Sequence, residues 1–274
     1  MLSGRDPGSQ RVKRGKHVSN HPEKGNVAVG SWQQETVGGH PCDLFEPSEP
    51  NPHKQAVIYL HGVHLEGLVD NQPFTEEFDR HGLVVICPMA ARSWWTDRIC
   101  EEFDSSLTAE QHLLENVLPY VQERFETADR QVGLLGTSMG GQGALRLSYK
   151  YPRIFPVVSA IAPAIDFHLR FDHDDETIPL MYPDKEAARQ DTALLHIHPL
   201  DYPLHQFFCC DPTDHNWFDS VDRLRMKLAS LGVPFEADLE TEAGGHGFGY
   251  YNQMAGVAVG FLAERLEKER KRVV

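Results

Sequence analysis

Ser138 stands at the centre of Gly136-Thr137-Ser138-Met139-Gly140, a G-x-S-x-G pattern. The apolar run Val132–Leu135 precedes it, and the small residues Gly141, Gly143 and Ala144 follow. A strand, a sharp turn and a helix in that order lift a serine hydroxyl clear of the backbone, which is the setting in which this pattern carries a nucleophile. Glycine two residues to either side removes side chains that would collide inside such a turn.

A serine hydroxyl needs a base, and the base needs an acid to orient it. Among 15 histidines, residues such as His196, His198 and His205 read as surface or core-polar side chains. His246 is selected by its place: it follows the apolar run Phe235–Leu239 and lies within Ala243-Gly244-Gly245-His246-Gly247. The acid is sought after the run Gln206–Cys209, in Asp211-Pro212-Thr213-Asp214. Asp214 is the first candidate there and Asp211 the second. Serine, acid and histidine then fall in chain order.

A tetrahedral oxyanion needs backbone donors. The run Ala56–Leu60 ends in His61-Gly62-Val63, so the N–H of Val63, with Gly62 as second choice, pairs with the N–H of Met139. Ligands bind beyond the carboxyl ends of parallel strands. On that rule His61, Gly62, Trp94, Trp95 and Tyr250 are assigned to the pocket wall. Two tryptophans packed under a loop, and a core place for Tyr250 and Tyr251, are the competing readings.

The elements that must position these groups alternate along the chain. Asn26–Trp32 and Cys42–Phe45 read as an antiparallel pair turning at Gly38-Gly39. Ala56–Leu60, Leu83–Cys87, Val132–Leu135, Val157–Ile161, Gln206–Cys209 and Phe235–Leu239 are short apolar runs suited to a largely parallel sheet. Helices are predicted over Thr108–Phe125 (with a capping box at Thr108 and Gln111, and a kink at Pro119), Gly140–Tyr149, Lys185–Leu195, Val221–Leu231 and near the C-terminus. The fold class is therefore α/β, a mostly parallel sheet with helices on both faces. Residues 26–274 are read as one domain with a cap-like insertion at about 164–204, preceded by a basic, disordered extension over 1–25.

Charge and composition narrow the partners. Lys and Arg number 26 against 40 Asp and Glu, giving a net charge of −14. Six basic and two acidic residues in the first 25 leave the remainder at −18. Such a body is a poor polyanion binder, so nucleic acid is excluded as a partner. No apolar run approaches the ~18 residues of a membrane span. Five cysteines, an odd count, argue for a reducing, cytoplasmic setting over a disulfide scaffold, with Cys209 and Cys210 read as buried small hydrophobes. Asp172, His173, Asp174 and Asp175 with His168 match no metal-ligand spacing and read as a solvated cap, so no metal is expected. A homodimer is compatible with the composition.

The motifs YLHG at Tyr59–Gly62, GTSMGG at Gly136–Gly141 and GGHGFGYY at Gly244–Tyr251 resemble the esterase D-type branch of the α/β-hydrolase fold. The stretch GVPFEADLET at Gly232–Thr241 and the acidic turn after the seventh strand extend the likeness over roughly residues 30–268. That branch includes S-formylglutathione hydrolases, feruloyl and related carboxylesterases, and mycolyltransferases. The resemblance implies a carboxylesterase-type serine hydrolase acting through an acyl-serine on a small-molecule ester or thioester, without metal or organic cofactor. It also favours Asp214 as the acid. Where S-formylglutathione hydrolases carry Gly-Leu-Thr-Cys, this chain has Gly62-Val63-His64-Leu65. An acyltransferase on the same triad and a non-catalytic binding protein are the alternatives.

Overall fold

Five of the apolar runs become strands buried on both faces, which is why they read as continuous hydrophobic stretches, whereas Phe235–Leu239 yields only the short, largely exposed strand Glu236–Asp238. In a computed structural model that describes residues 30–173 and 176–272, they assemble one eight-stranded sheet. The first half comprises β1 (Ser31–Val37), β2 (His40–Glu46), β3 (Ala56–Leu60), α1 (Gln72–Arg80) and β4 (Val84–Pro88). Helices α2 (Ala109–His112) and α3 (Leu118–Phe125) follow, joined by a π-helical turn over Leu113–Val117. Next come β5 (Val132–Thr137), α4 (Met139–Lys150) and β6 (Val157–Ile161). After them lie α5 (Ile178–Met181), α6 (Lys185–Gln190), β7 (His205–Cys209), α7 (Phe218–Leu231), β8 (Glu236–Asp238) and α8 (Phe248–Arg270).

The strand order is β1-β2-β4-β3-β5-β6-β7-β8, with β1–β2 and β2–β4 antiparallel and every other pair parallel. This is the α/β-hydrolase fold. The central strands β3, β4, β5 and β6 are buried throughout, whereas β1 is mostly exposed and β8 spans three residues. Both edges are thus short or polar, which blunts edge-to-edge pairing. α4 packs on β3, β5 and β6, and α8 packs on β5, β6 and β7 and against α1.

Several boundaries differ from expectation. The first described strand runs Ser31–Val37, overlapping the expected Asn26–Trp32 only at Ser31 and Trp32; residues 26–29 of that expectation lie outside the described residues, as does the basic 1–25 segment. The capping box forms: Thr108 Oγ1 accepts from Gln111 N–H, and Gln111 Oε1 accepts from Thr108 N–H, both at 3.1 Å. The kink expected at Pro119 appears one turn earlier as the π-helical turn, because the missing proline N–H leaves the preceding carbonyls to re-register. Lys185–Leu195 resolves into α6 and a separate 3₁₀ turn, Ala193–His196.

Candidate active site

β5 ends at Thr137 and α4 begins at Met139, so the turn between them is Ser138 alone. Its backbone sits at φ 54° and ψ −117°, where an L side chain is strained, at a cost of order 1–3 kcal/mol. The surroundings hold it there. Ser138 N–H donates to the Ile161 carbonyl, and the Ser138 carbonyl accepts from the N–H groups of Gln142 and Ala164, each at 3.0 Å. A Cβ on Gly136 would stand 2.1 Å from the Gly140 oxygen, and one on Gly140 would stand 1.9 Å from the Leu60 oxygen. Backbone meets backbone at both points, so only glycine fits. Behind the turn, buried Arg146 of α4 pairs with Glu110 and donates to Asp191 Oδ1 at 2.8 Å, tying α4 to α2 and to the 164–204 insertion.

The sheet brings the other two candidates to the same edge. His246 Nε2 lies 2.8 Å from Ser138 Oγ, and His246 Nδ1 lies 2.7 Å from Asp214 Oδ2. Asp214 is buried, and its Oδ1 accepts from the N–H groups of Asn216 at 3.1 Å and Trp217 at 3.2 Å. The Cys210 thiol donates to Oδ2 at 3.7 Å. With that carboxylate accepting, the imidazole proton sits on Nδ1 and the Nε2 lone pair faces the serine.

Asp211 has a different place. Its Oδ2 accepts from Ala243 N–H at 2.6 Å and Gly245 N–H at 2.9 Å, and its Oδ1 accepts from the N–H and hydroxyl of Thr213, both at 2.7 Å. Burial acts to raise its pKa, but these four donors outweigh burial and bring it down to about 2. Asp211 therefore fastens the acid-bearing turn to the histidine loop. Gly245 and Gly247, at φ 83° and 137°, take conformations that suit glycine and turn His246 back toward the sheet.

Two N–H groups are the expected oxyanion donors. That of Met139 lies in the first turn of α4, where no intrahelical acceptor exists. The other is set by His61. Its Nδ1–H donates to the Gly62 carbonyl at 2.8 Å, while its Nε2 accepts from Ala90 N–H at 3.1 Å. Leu65 N–H also donates to the Gly62 carbonyl, at 3.0 Å. In a trans peptide the N–H opposes the carbonyl, so pinning the Gly62 oxygen outward turns Val63 N–H the other way. Burial lowers the His61 pKa to about 4, which keeps the ring neutral.

A cleft of about 150 Å³ opens over Ser138 and His246, with Gly62, Val63, Phe248 and Tyr251 among its walls. Four residues expected on the wall lie elsewhere. His61, Trp94, Trp95 and Tyr250 are each no more than 1% exposed and do not line it. Trp94 stacks on Phe167, and Trp95 packs against Gly143 and donates its Nε1–H to the His61 carbonyl at 3.2 Å. Tyr250 buries its ring beside Cys209. Its neighbour Tyr251, a step of 100° around α8, reaches the site instead, with its hydroxyl 2.9 Å from His246 Nε2. Among the described residues, the segment 164–204 supplies none to the cleft wall.

Among the described residues no group of three or more His, Cys, Asp or Glu is placed to hold a metal, and Asp174 and Asp175 lie outside them. No described helix is long and apolar enough to cross a membrane.

Comparison with known proteins adds the following. Residues 43–228, more than half of the chain, match the model of the Esterase family, described as "Putative esterase". No curated protein matches the chain. Among solved structures it is similar to FphF, a Staphylococcus aureus fluorophosphonate-binding serine hydrolase, at 16% identity and a TM-score of 0.68 over 86% of this chain and 99% of that one. A ferulic acid esterase gives 16% and 0.68 over 87% and 100%. An S-formylglutathione hydrolase from Agrobacterium tumefaciens gives 19% and 0.66 over 86% and 94%. At such identities these structures establish the shared fold.

Proposed function

The chain belongs to the Esterase family and is an ester-cleaving serine hydrolase; from that premise we propose that Ser138 is its nucleophile, His246 its general base and Asp214 the acid that orients the base. One observation carries this reading: the unbroken hydrogen-bonded line from Asp214 through His246 to Ser138, at 2.7 and 2.8 Å. As Ser138 Oγ attacks the ester carbonyl carbon, its proton passes to His246 Nε2, and Asp214 steadies the imidazolium. The carbonyl π pair moves onto oxygen, which the N–H groups of Val63 and Met139 receive, a donor of this kind contributing about 10²–10³ in rate. Collapse breaks the bond to the alcohol, which leaves with the Nε2 proton. Water then repeats the sequence on the acyl-serine and frees the acid.

The small cleft favours a short acyl group, since sites for drug-sized ligands run to roughly 300–1,000 Å³. Its apolar wall of Val63 and Phe248 suits a plain hydrocarbon chain. Thioesters fit the same chemistry. The five unpaired, buried thiols favour a reducing, cytoplasmic setting, the excess negative charge disfavours nucleic acid, and a homodimer is the assembly to test by light scattering. The reading is tested with Ser138→Ala: a protein that unfolds with the wild-type transition and turns over no short aryl ester is expected. Retained turnover overturns it.

A further inference from the structure

Tyr251 brings a second hydroxyl-bearing side chain to a dyad that needs only one. His246 Nδ1–H is committed to Asp214, so Nε2 offers a single in-plane lone pair. Two hydroxyl oxygens compete for it, Ser138 Oγ at 2.8 Å and Tyr251 Oη at 2.9 Å. The phenol also lies against Ser138 itself. Only one hydroxyl can donate to Nε2 at a time, and the other occupies a second approach to the same nitrogen.

That second approach has a chemical meaning. Once serine has given up its proton, the oxygen that must next come within hydrogen-bonding distance of Nε2 is the departing one. It has to come from the side not taken by Oγ, and there it meets Tyr251. The tyrosine is held in place: it sits in the first turn of α8, is 5% exposed, and has its ring edge-on to both His246 and Phe248. Its surroundings raise the phenol pKa, burial first among the causes, so the hydroxyl stays a donor at neutral pH. Its position in the cleft wall leaves it in reach of a bound ester.

We propose that Tyr251 is a further catalytic residue, whose hydroxyl hydrogen-bonds the leaving alkoxide during acylation and suits the site to esters of aliphatic alcohols. In that step the ester C–O bond breaks with its electron pair going to the alcohol oxygen. The same oxygen takes the proton from His246 Nε2, while Tyr251 donates a hydrogen bond and keeps its own proton. An aryl oxide or a thiolate is stable without such help, whereas an alkoxide is not. The proposal rests on the Ser138 reading above.

The test compares kcat/KM, which reports acylation, for ethyl and 4-nitrophenyl esters of one short acid in the wild type, Tyr251→Phe and Ser138→Ala. Loss of a hydrogen bond to a developing charge is worth about 10–100-fold. The ethyl ester is expected to fall at least tenfold further than the 4-nitrophenyl ester in Tyr251→Phe. An equal fall for both, or no fall for either, overturns the proposal in favour of a packing role. Turnover persisting in Ser138→Ala defeats the nucleophile assignment instead, so the two failures are distinct. If Tyr251→Phe loses its thermal transition, Tyr251→3-fluorotyrosine, nearly isosteric and more acidic, must shift the ethyl-to-aryl ratio. An unchanged ratio there overturns the proposal.

Discussion

His61 couples the stability of the fold to the shape of the oxyanion site, and pH exposes the link. Both ring nitrogens are engaged, Nδ1–H toward the Gly62 carbonyl and Nε2 toward Ala90 N–H, and the side chain is 1% exposed. A second proton would have to go on Nε2 and break the Ala90 contact in a buried place. Burial therefore pulls the pKa from 6.5 to about 4. Between those values the unfolded chain binds the proton and the folded chain does not, so stability rises with pH across the window and falls on acidification from 6.5 toward 4. A gap of about 2.5 units at about 1.4 kcal/mol each comes to about 3.5 kcal/mol, of which about 3 kcal/mol is lost by pH 4. His61→Asn retains a donor for the Gly62 carbonyl and does not titrate. In urea unfolding from pH 7.5 to 4, the wild type should lose about 3 kcal/mol more than this variant, a large share of a typical 5–15 kcal/mol. Parallel curves for the two proteins would refute the reasoning.

The two aspartates should separate by assay. Asp214→Asn is expected to keep its thermal transition within a few degrees and lose about 10⁴ in kcat. Asp211→Asn turns an amide toward donors that now meet a carboxylate, costing about 2–4 kcal/mol and roughly 5–15 °C in Tm, with kcat held within about tenfold. Because the Asp211 pKa is depressed to about 2, its contribution is present above about pH 4 and lost as pH falls toward 2; acid unfolding of Asp211→Asn should lack that component. Gly140→Ala, whose Cβ would fall 1.9 Å from the Leu60 oxygen, must part β3 from the elbow by about 1 Å, enough to cost roughly 100-fold in kcat.

What was legible in the sequence was whatever local physics dictates. Parallel strands buried on both faces leave unbroken apolar runs, so β3 and β6 match their expected bounds residue for residue. The elbow is legible because Gly136 and Gly140 are fixed by backbone contacts within and beside one turn. Helix α1 escaped notice because it is polar apart from Phe74 and Phe78, the residues that it buries. The pocket wall depended on distant geometry. Whether Tyr250 or Tyr251 faces the serine is a matter of helix phase set by where α8 begins, and Trp94 and Trp95 point inward because Phe167 and Gly143 receive them. Local sequence around Asp211 and Asp214 leaves both open as the acid, with the family resemblance favouring Asp214; the fold separates them by the loop atoms it presents to each.

The assignment of Ser138 as the nucleophile is most directly tested by mass spectrometry after treatment with a fluorophosphonate, which phosphonylates an activated serine. A single adduct is expected, carried by the peptide containing Ser138, absent from Ser138→Ala and formed in step with loss of esterase activity. An adduct on another serine, or equal labelling of Ser138→Ala, would contradict it.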